Sequence, residues 1–441
     1  MTNNIHPQPS HSRKPQRLRW SWLPSLMFGD GMMLSVIILM MMMMRRFGLN
    51  NTHITLYTSL LCALLTLRPL FERIVTHFNG TTKVWILSAE FISAMSLWAT
   101  AFILPSSYWL EGTICFMPFA ILSAIFHNIA VDRFYLHTSP TTSTSHPSRI
   151  ATLFRLLALL FGAGAVAMLA GNMEVLTRSV RYPWSFAFYV MAGIQFFLWL
   201  WHSIFLPGGE HPQNIDKDLY GLHRGEYHVA IDSVLHGIRN RVSLYFFLLF
   251  LLPEAFLCLV MPLFFIDAPH NGGLGLSPQE FGLTYGTIGI VAIYIGNAIG
   301  AHLLCHFRQT YCLVAMSMML VIHGLSQLYL SYSLGASLVI VSLVTFIGNT
   351  GFGIGITTFA SAIDRFATAR GSVLRVSIAK AMTSLTIILV GIFSGLLQTS
   401  IGYRQYFTIV TGLYLVTIAI AIIYASFLPA ESDGKETCQQ N

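Results

Sequence analysis

A chain of 441 residues with 54% hydrophobic and only 10% charged residues cannot coat a water-facing surface of its own size, because a soluble domain usually carries about 25% charged residues. Its mean hydropathy of +0.64 agrees, and the bilayer is the solvent that these proportions fit. A formal charge of +7 would suit nucleic acid, but the basic residues stand singly between apolar segments, a membrane pattern that argues against such a partner.

Residues 1–22 are polar and basic, with Arg13, Lys14, Arg17 and Arg19. The apolar run that follows is too long for the core of a cleavable signal, so this stretch reads as a cytoplasmic N-terminus. Six apolar segments come next: Leu23–Met44, Ile54–Phe71, Val84–Leu104, Gly112–Tyr135, Ile150–Asn172 and Trp184–Leu206. A hydrocarbon core of ~30 Å takes roughly 20 such residues per helix, and in lipid only a helix satisfies its own backbone within one segment. The insert Pro207–Asn240 is too polar for lipid and too short for a domain, so it reads as a linker. Six more segments follow, at Val242–Ile266, Pro278–Leu304, Cys312–Ser331, Ala336–Ala360, Val373–Thr399 and Tyr406–Phe427, and then a polar tail over 428–441.

With both termini inside, 18 of the 25 Lys and Arg fall on inner segments and five on outer loops, while Arg155 and Lys380 lie within helices. That bias places both ends in the cytoplasm. The expected fold is an all-α membrane protein of about twelve helices, with bundles over 23–206 and 241–427. Two six-helix halves on a cytoplasmic linker are the layout of the major facilitator architecture. There a solute binds at mid-membrane and the halves rock about it.

Charge within a bilayer costs about 2.5–3.5 kcal/mol at a helix centre, so each such residue is a candidate for the transport path. Asp30 lies in FGDGMML, Glu90 in LSAEFIS, Arg155 in LFRLLAL, Glu254 in LPEAFLCLV and Lys380 in SIAKAMTSL. A charge near a helix end can instead reach the interface. Glu90 reads that way, Asp30 and Arg155 suit either account, and Glu254 and Lys380 lie deeper. The two acids and two bases of helices one, five, seven and eleven are placed to neutralise one another across a cavity. A carboxylate that exchanges its proton in each cycle suits proton coupling, and Glu254 comes first for this role, Asp30 second.

Glycine is dense in the eighth, tenth and eleventh segments, and Gly296–Gly300 and Gly391–Gly395 have the small-xxx-small spacing of close helix contacts. Static packing and sliding contacts both fit. Met40–Met44 reads as helix surface or core filling, with no His or Cys nearby to make a copper site. The six cysteines form no CxxC and no Cys/His spacing, so neither a disulfide nor a metal is expected. The sixteen histidines are dispersed, and His211, His223 and His228 of the linker read as solvated. No nucleophile–base set is legible, and neither an enzyme nor a cofactor is expected.

Specific strings carry more. FGDGMML, GLNNTHITLYTSL, LRPLFERIV and KVWILSAEF resemble the opening of the AmpG-like permeases, in the peptide/acetyl-CoA transporter branch of the major facilitator superfamily. HNIAVDRFYL resembles that branch's HDIAADGFYM-type string. LPEAFLCLVMPLFFIDAPHNGGLGLSPQEFGLTYGTIGIVAIYIGNAIGA resembles its seventh and eighth helices, and FIGNTGFGIGITTFASAI and IFSGLLQTSIGYRQYF two later passages. The likeness spans most of Leu23–Phe407 in the right order. It implies a carrier of the bacterial inner membrane that imports cell-wall muropeptides with protons, or moves acetyl-CoA. By position it implies that Asp30, Asp132, Arg155 and Glu254 match charged residues of the family.

The departures concern charge. Asn128 replaces the first acid of the HDIAAD-type string, and RPLFER brings in Glu72 and Arg73 while Arg68 keeps its charge. Leu251 stands where a base is expected, and Lys380 where relatives carry small or polar residues, which suggests a cavity cation moved from one helix to another. The candidate substrate-binding set is Arg155, Lys380, Tyr57 and Tyr285. The candidate cytoplasmic gate is Arg68, Glu72, Asp132 and Arg133. The expected protein is a monomeric proton-coupled importer of an anionic solute such as a muropeptide, bathed in lipid. A carrier of a different anion and a transport-inactive sensor are the alternatives.

Overall fold

Helices account for nearly all of the regular structure in a computed structural model that describes residues 22–77, 81–138, 149–208, 238–367 and 372–428. Eleven helices among these residues are long and apolar enough to cross a membrane. We label them α1 (Leu23–Arg46), α2 (Asn51–Val75), α3 (Thr82–Ile103), α4 (Trp109–Phe134), α5 (Ala151–Thr177), α6 (Arg181–Phe205), α7 (Asn240–Ile266), α8 (Pro278–His306), α9 (Gln309–Tyr332) and α10 (Leu338–Phe366). The last, Leu374–Ser426, runs for 53 residues and turns at Gly402, whose φ of 78° lies in the region open to a residue without Cβ. It therefore makes two spans, α11 (374–401) and α12 (403–426). The loop expected between Thr399 and Tyr406 is reduced to that single glycine.

The spans thus number twelve among the described residues, and the start of α1 and the end of α12 share one face, called here the termini face. The basic N-terminus over 1–21, the linker over 209–237 with His211, His223 and His228, and the tail over 429–441 lie outside the described residues. Each half packs as its own bundle. In the first, α3 lies against α4 and α6, and α1 against α5; in the second, α10 lies against α8 and α9. Trp98, Phe102, Val339 and Leu415 stay exposed on the outer surface, as lipid-facing side chains must be. Met40–Met44 are all fully or almost fully buried, so this run fills core rather than covering a helix surface.

Across the halves the contacts are close. At Gly391, an added Cβ would fall on the Ser59 side chain, and at Gly395 on Thr55, bringing α11 onto α2. At Gly286 it would fall on the Ala163 carbonyl, bringing α8 onto α5. At that crossing both helices widen into π-helical turns, Leu160–Val166 and Thr284–Gly289. Such turns are rare and local, and here they let two backbones meet with no side chain between.

α7 is interrupted just before Pro253, with Leu251 at φ −95°, ψ 17°. Proline has no N–H to continue the ladder, and the carbonyls around the break need other donors. Thr386 of α11 donates to the Leu248 carbonyl, and Thr417 of α12 donates to that of Phe250 at 3.0 Å. The break sets Glu254 in the first turn of the next helical segment, facing inward.

Gly286→Val is expected to lower stability by about 1–3 kcal/mol, the usual range for overpacking, because the opposing Ala163 carbonyl is backbone and cannot swing aside. Thermal unfolding of the detergent-purified chain measures this, and an unchanged midpoint contradicts the close crossing.

Candidate functional site

Three helices meet at the termini face through polar side chains at helical spacing. Arg68 and Glu72 of α2 are four residues apart, as are Asn128 and Asp132 of α4, so each pair shares one helix face. Arg68 donates from Nη2 to Asp132 at 2.7 Å and from Nη1 to Asn128. Arg133 donates to Glu72 at 2.7 and 2.9 Å. Helix α11 of the other half completes the set. Lys380 donates to Asp132 at 3.0 Å and to Asn128 at 3.3 Å, and Ser377 donates to Glu72 at 3.1 Å. The four expected gate residues are therefore brought together, with Asn128, Ser377 and Lys380 beside them.

The network continues toward mid-membrane. Asn128 donates to Asp30 Oδ1 at 2.5 Å, and Arg155 donates from Nε to Asp30 Oδ2 at 2.7 Å. Three cations, Arg68, Arg155 and Lys380, are thus linked to two carboxylates, Asp30 and Asp132. Arg155 pairs with Asp30, an acid–base pairing across the cavity of the kind anticipated. Lys380 does not pair with Glu254. It extends from α11 into the first half and meets Asp132, because that carboxylate is shared between α2 and α4 on the face that α11 covers.

Glu254 sits elsewhere, inside the second half and only 7% exposed. His323 of α9 lies against it at 2.9 Å through Nδ1, and Tyr414 of α12 donates to it at 2.6 Å. His323 Nε2 and both amide atoms of Gln327, one turn further along α9, are buried without a hydrogen-bond partner among the described residues. Glu254 is thus held by an imidazole and a phenol, groups that can exchange a proton with it, rather than by a guanidinium.

Glu90 corrects the interfacial reading. It is fully buried, with His202 Nδ1 at 2.6 Å and His127 Nε2 at 3.2 Å from its Oε1. The residue lies eight positions into α3, roughly 12 Å along the axis, too far for a glutamate to reach headgroups. A pocket between α1, α3, α4 and α6 is lined by Asp30, Ser93, His127 and Gln195. The two tyrosines of the expected substrate set stand apart. Tyr57 stacks on His53 at 6.0 Å, and Tyr285 packs on Phe281 at 5.0 Å and Phe265 at 5.8 Å.

A second cross-half network, not foreseen from the sequence, closes the opposite face. Arg45, in the last turn of α1, pairs with Asp267, just past α7. Asn51 Nδ2 lies 2.9 Å from Asp267, 2.8 Å from Gln398 and 2.8 Å from Tyr403 Oη. Tyr403 donates to Asp267 at 2.5 Å. The halves are therefore tied at both faces at once. Arg45 and Asn51 lie in the predicted loop between the first two segments, and no spacing in the sequence links them to residues more than two hundred positions away.

No family model matches the chain. It is 26% identical over 183 residues to a Rickettsia typhi protein named "Putative transporter AmpG 2", and equally to its Rickettsia prowazekii namesake. The match covers 42% of this chain and 43% of each relative, less than half of their length. Among solved structures, it is similar to a POT family transporter in complex with 5-aminolevulinic acid, at TM-score 0.68 and 13% identity over 95% of this chain and 98% of that one. The nucleoside transporter NupG is similar at TM-score 0.66 and 12% identity, over 94% and 100%. A D-xylose-proton symporter follows at 0.61 and 11%, over 95% and 98%. These likenesses establish the all-α, multi-pass fold that the chain shares with those transporters, and over 183 residues its sequence is similar to the two AmpG-named proteins.

Arg155→Met leaves the Asp30 carboxylate, 4% exposed, without its guanidinium. Breaking a buried pair by removing one partner costs about 3–5 kcal/mol. The single variant is expected to unfold at lower temperature, and Arg155→Met with Asp30→Leu to recover much of the loss. A double variant no more stable than the single one shows that the pair is not what holds α1 to α5.

Proposed function

We propose that this chain is a proton-coupled secondary carrier that moves an anionic solute, with a cell-wall muropeptide as first candidate, across the bacterial inner membrane by alternating access. The observation that carries the reading is the pair of cross-half networks. Arg68, Asp132 and Lys380 close one face while Arg45, Asn51, Asp267 and Tyr403 close the other. Hydrogen bonds and ion pairs are reversible at modest net cost, so each face can open while the other stays shut. Such a device suits rocking halves and has no evident use in a static scaffold.

The charge of the network supports an anion. Asn128 takes the place of an acid, and Lys380 that of a neutral residue, when the chain is set beside the AmpG-like pattern. Both changes make the network more positive, leaving three cations to two carboxylates around Asp30 and Asp132. A solute carboxylate that enters from mid-membrane competes with Asp132 for Arg68 and Lys380. Its binding therefore loosens the contact that holds α11 on α4. Muropeptides offer carboxylates for this exchange and sugar hydroxyls for the remaining polar groups. The positive-inside bias puts the termini face in the cytoplasm, which makes Arg68, Glu72, Asp132 and Arg133 the cytoplasmic gate.

Glu254 is the first coupling residue on this reading. Its partners His323 and Tyr414 lie within hydrogen-bond distance, so a proton taken up there can pass to a neighbour without leaving an unpaired charge in a dry interior. Asp30, held by Arg155, responds to the solute through that arginine.

Radiolabelled anhydro-muropeptide uptake into liposomes containing the purified chain tests this. An imposed proton gradient is expected to drive accumulation at least tenfold above the gradient-free level, and Glu254→Gln to abolish the excess. Absence of uptake by folded wild-type protein rejects the solute. Saturable binding without accumulation rejects the carrier reading in favour of a sensor.

A further inference from the structure

The buried histidines of the first half are not used by the coupling scheme above. Four side chains from α1, α3, α4 and α6 lie in sequence from the termini face inward. Ser25 Oγ is 2.9 Å from His202 Nε2, His202 Nδ1 is 2.6 Å from Glu90 Oε1, and Glu90 Oε1 is 3.2 Å from His127 Nε2. The other nitrogen of His127, Nδ1, faces Asp30 Oδ1 at 3.9 Å. His202 and Glu90 are fully buried, and His127 is 5% exposed.

The hydrogen bonds constrain where the protons sit. Ser25 donates its single proton to the Trp22 carbonyl at 3.0 Å, so it accepts from His202 Nε2–H. Glu90 Oε1 contacts both imidazoles: it can accept from His127 Nε2–H, and a single proton lies between it and His202 Nδ1. Glu90 Oε2 is buried with no hydrogen-bond partner among the described residues, which a structural ion pair would normally avoid. The charged and titratable groups facing Glu90 are His127 of α4, His202 of α6, Asp30 of α1 beyond His127, and Arg155 of α5 behind Asp30. Lys83 is engaged with the Ser203 and Leu206 carbonyls at the end of α6.

We propose that His127, Glu90, His202 and Ser25 form a proton path through the first half, joining Asp30 to the termini face. It rests on the proton-coupled reading for its use, but not for its existence. A proton arriving at Asp30 Oδ1 passes to His127 Nδ1, and His127 gives up its Nε2 proton to Glu90 Oε1. The proton already shared by Glu90 and His202 settles on Nδ1 as His202 releases its own from Nε2 past Ser25, so one proton enters and one leaves. The gap at His127–Asp30 exceeds a hydrogen bond. It is the switch, made or broken as α1 shifts against α4. The second half holds a similar set of groups on different helices. Its carboxylate is Glu254 on the first helix, its imidazole His323 on the third, and its phenol Tyr414 on the sixth.

The test begins without any solute. Full-length protein labelled with nitrogen-15 histidine is examined by NMR, with His202→Asn identifying the signal. In the wild type both ring nitrogens of His202 are expected to be hydrogen-bonded, Nε2 as the donor toward Ser25 and Nδ1 toward Glu90. A wild-type His202 that lacks either bond overturns the proposal, and this arm rests on no variant that might unfold. The second arm follows internal pH in liposomes during muropeptide uptake. Glu90→Gln and His202→Asn are expected to cut proton flux at least tenfold, and unchanged flux in both variants overturns the path. If wild-type liposomes move neither muropeptide nor protons, the carrier reading fails while the histidine signals still decide whether the hydrogen-bonded chain exists.

Discussion

Ions taken out of water lose several kcal/mol of solvation each, and only a well-placed partner returns it. In a chain with this few charges, that constraint organises the interior. Asp30 has Arg155, Glu72 has Arg133, Asp132 has Arg68 and Lys380, and Asp267 has Arg45. Each pair joins two helices, so the need to neutralise charge also fixes which helices touch. Apolar packing cannot do this alone, because lipid tails solvate leucine as well as a neighbouring helix does. The polar pairs and the glycine crossings at Gly286 and Gly391 supply the specificity that the hydrophobic effect supplies in water.

The same constraint separates two kinds of buried acid. Asp132 and Asp30 are matched by guanidinium or ammonium groups, whose charge does not change near neutral pH. Glu90 and Glu254 are matched by imidazoles, with a phenol at Glu254, whose protons are mobile near neutral pH in the case of histidine. The first kind ties helices together, within the first half at Asp30–Arg155 and Glu72–Arg133 and across the halves at Asp132–Lys380 and Asp267–Arg45. The second kind lies inside each half, and on the proposed carrier reading it is the kind that would exchange a proton.

The apolar spans and their even count were legible because hydropathy windows and length decide them almost unaided. Asp30, Arg155, Glu254 and the charges of α2 and α4 were legible as well, since any ion in an apolar run stands out. Their pairings were not. Lys380 was grouped with Asp30, Arg155 and Glu254 as charges that could neutralise one another, yet it meets Asp132, and only the packing of α11 over α4 decides that. Glu90 was read as interfacial from its distance to a helix end, a measure that ignores what lies beside it. His127, His202 and His323 are single histidines on three different helices, with no periodicity to flag them. A histidine beside a buried glutamate leaves no trace in one sequence, because the contact is made across helices rather than along one.

The opposite face shows why this matters for mechanism. Asn51 begins α2 and meets both Asp267 and Gln398, which lies near the end of α11, where Gly391 and Gly395 let α11 lie close on α2. The termini-face contact of Lys380 with Asp132 is made by the other end of the same α11. One helix, smooth at its centre and polar at both ends, thus carries a latch for each face. On the proposed carrier reading, a tilt of this helix about the glycine crossing would lengthen one set of polar contacts as it shortens the other. Opening at one face would then be linked to closure at the other by the rigidity of a single helix, without a separate signalling element between them.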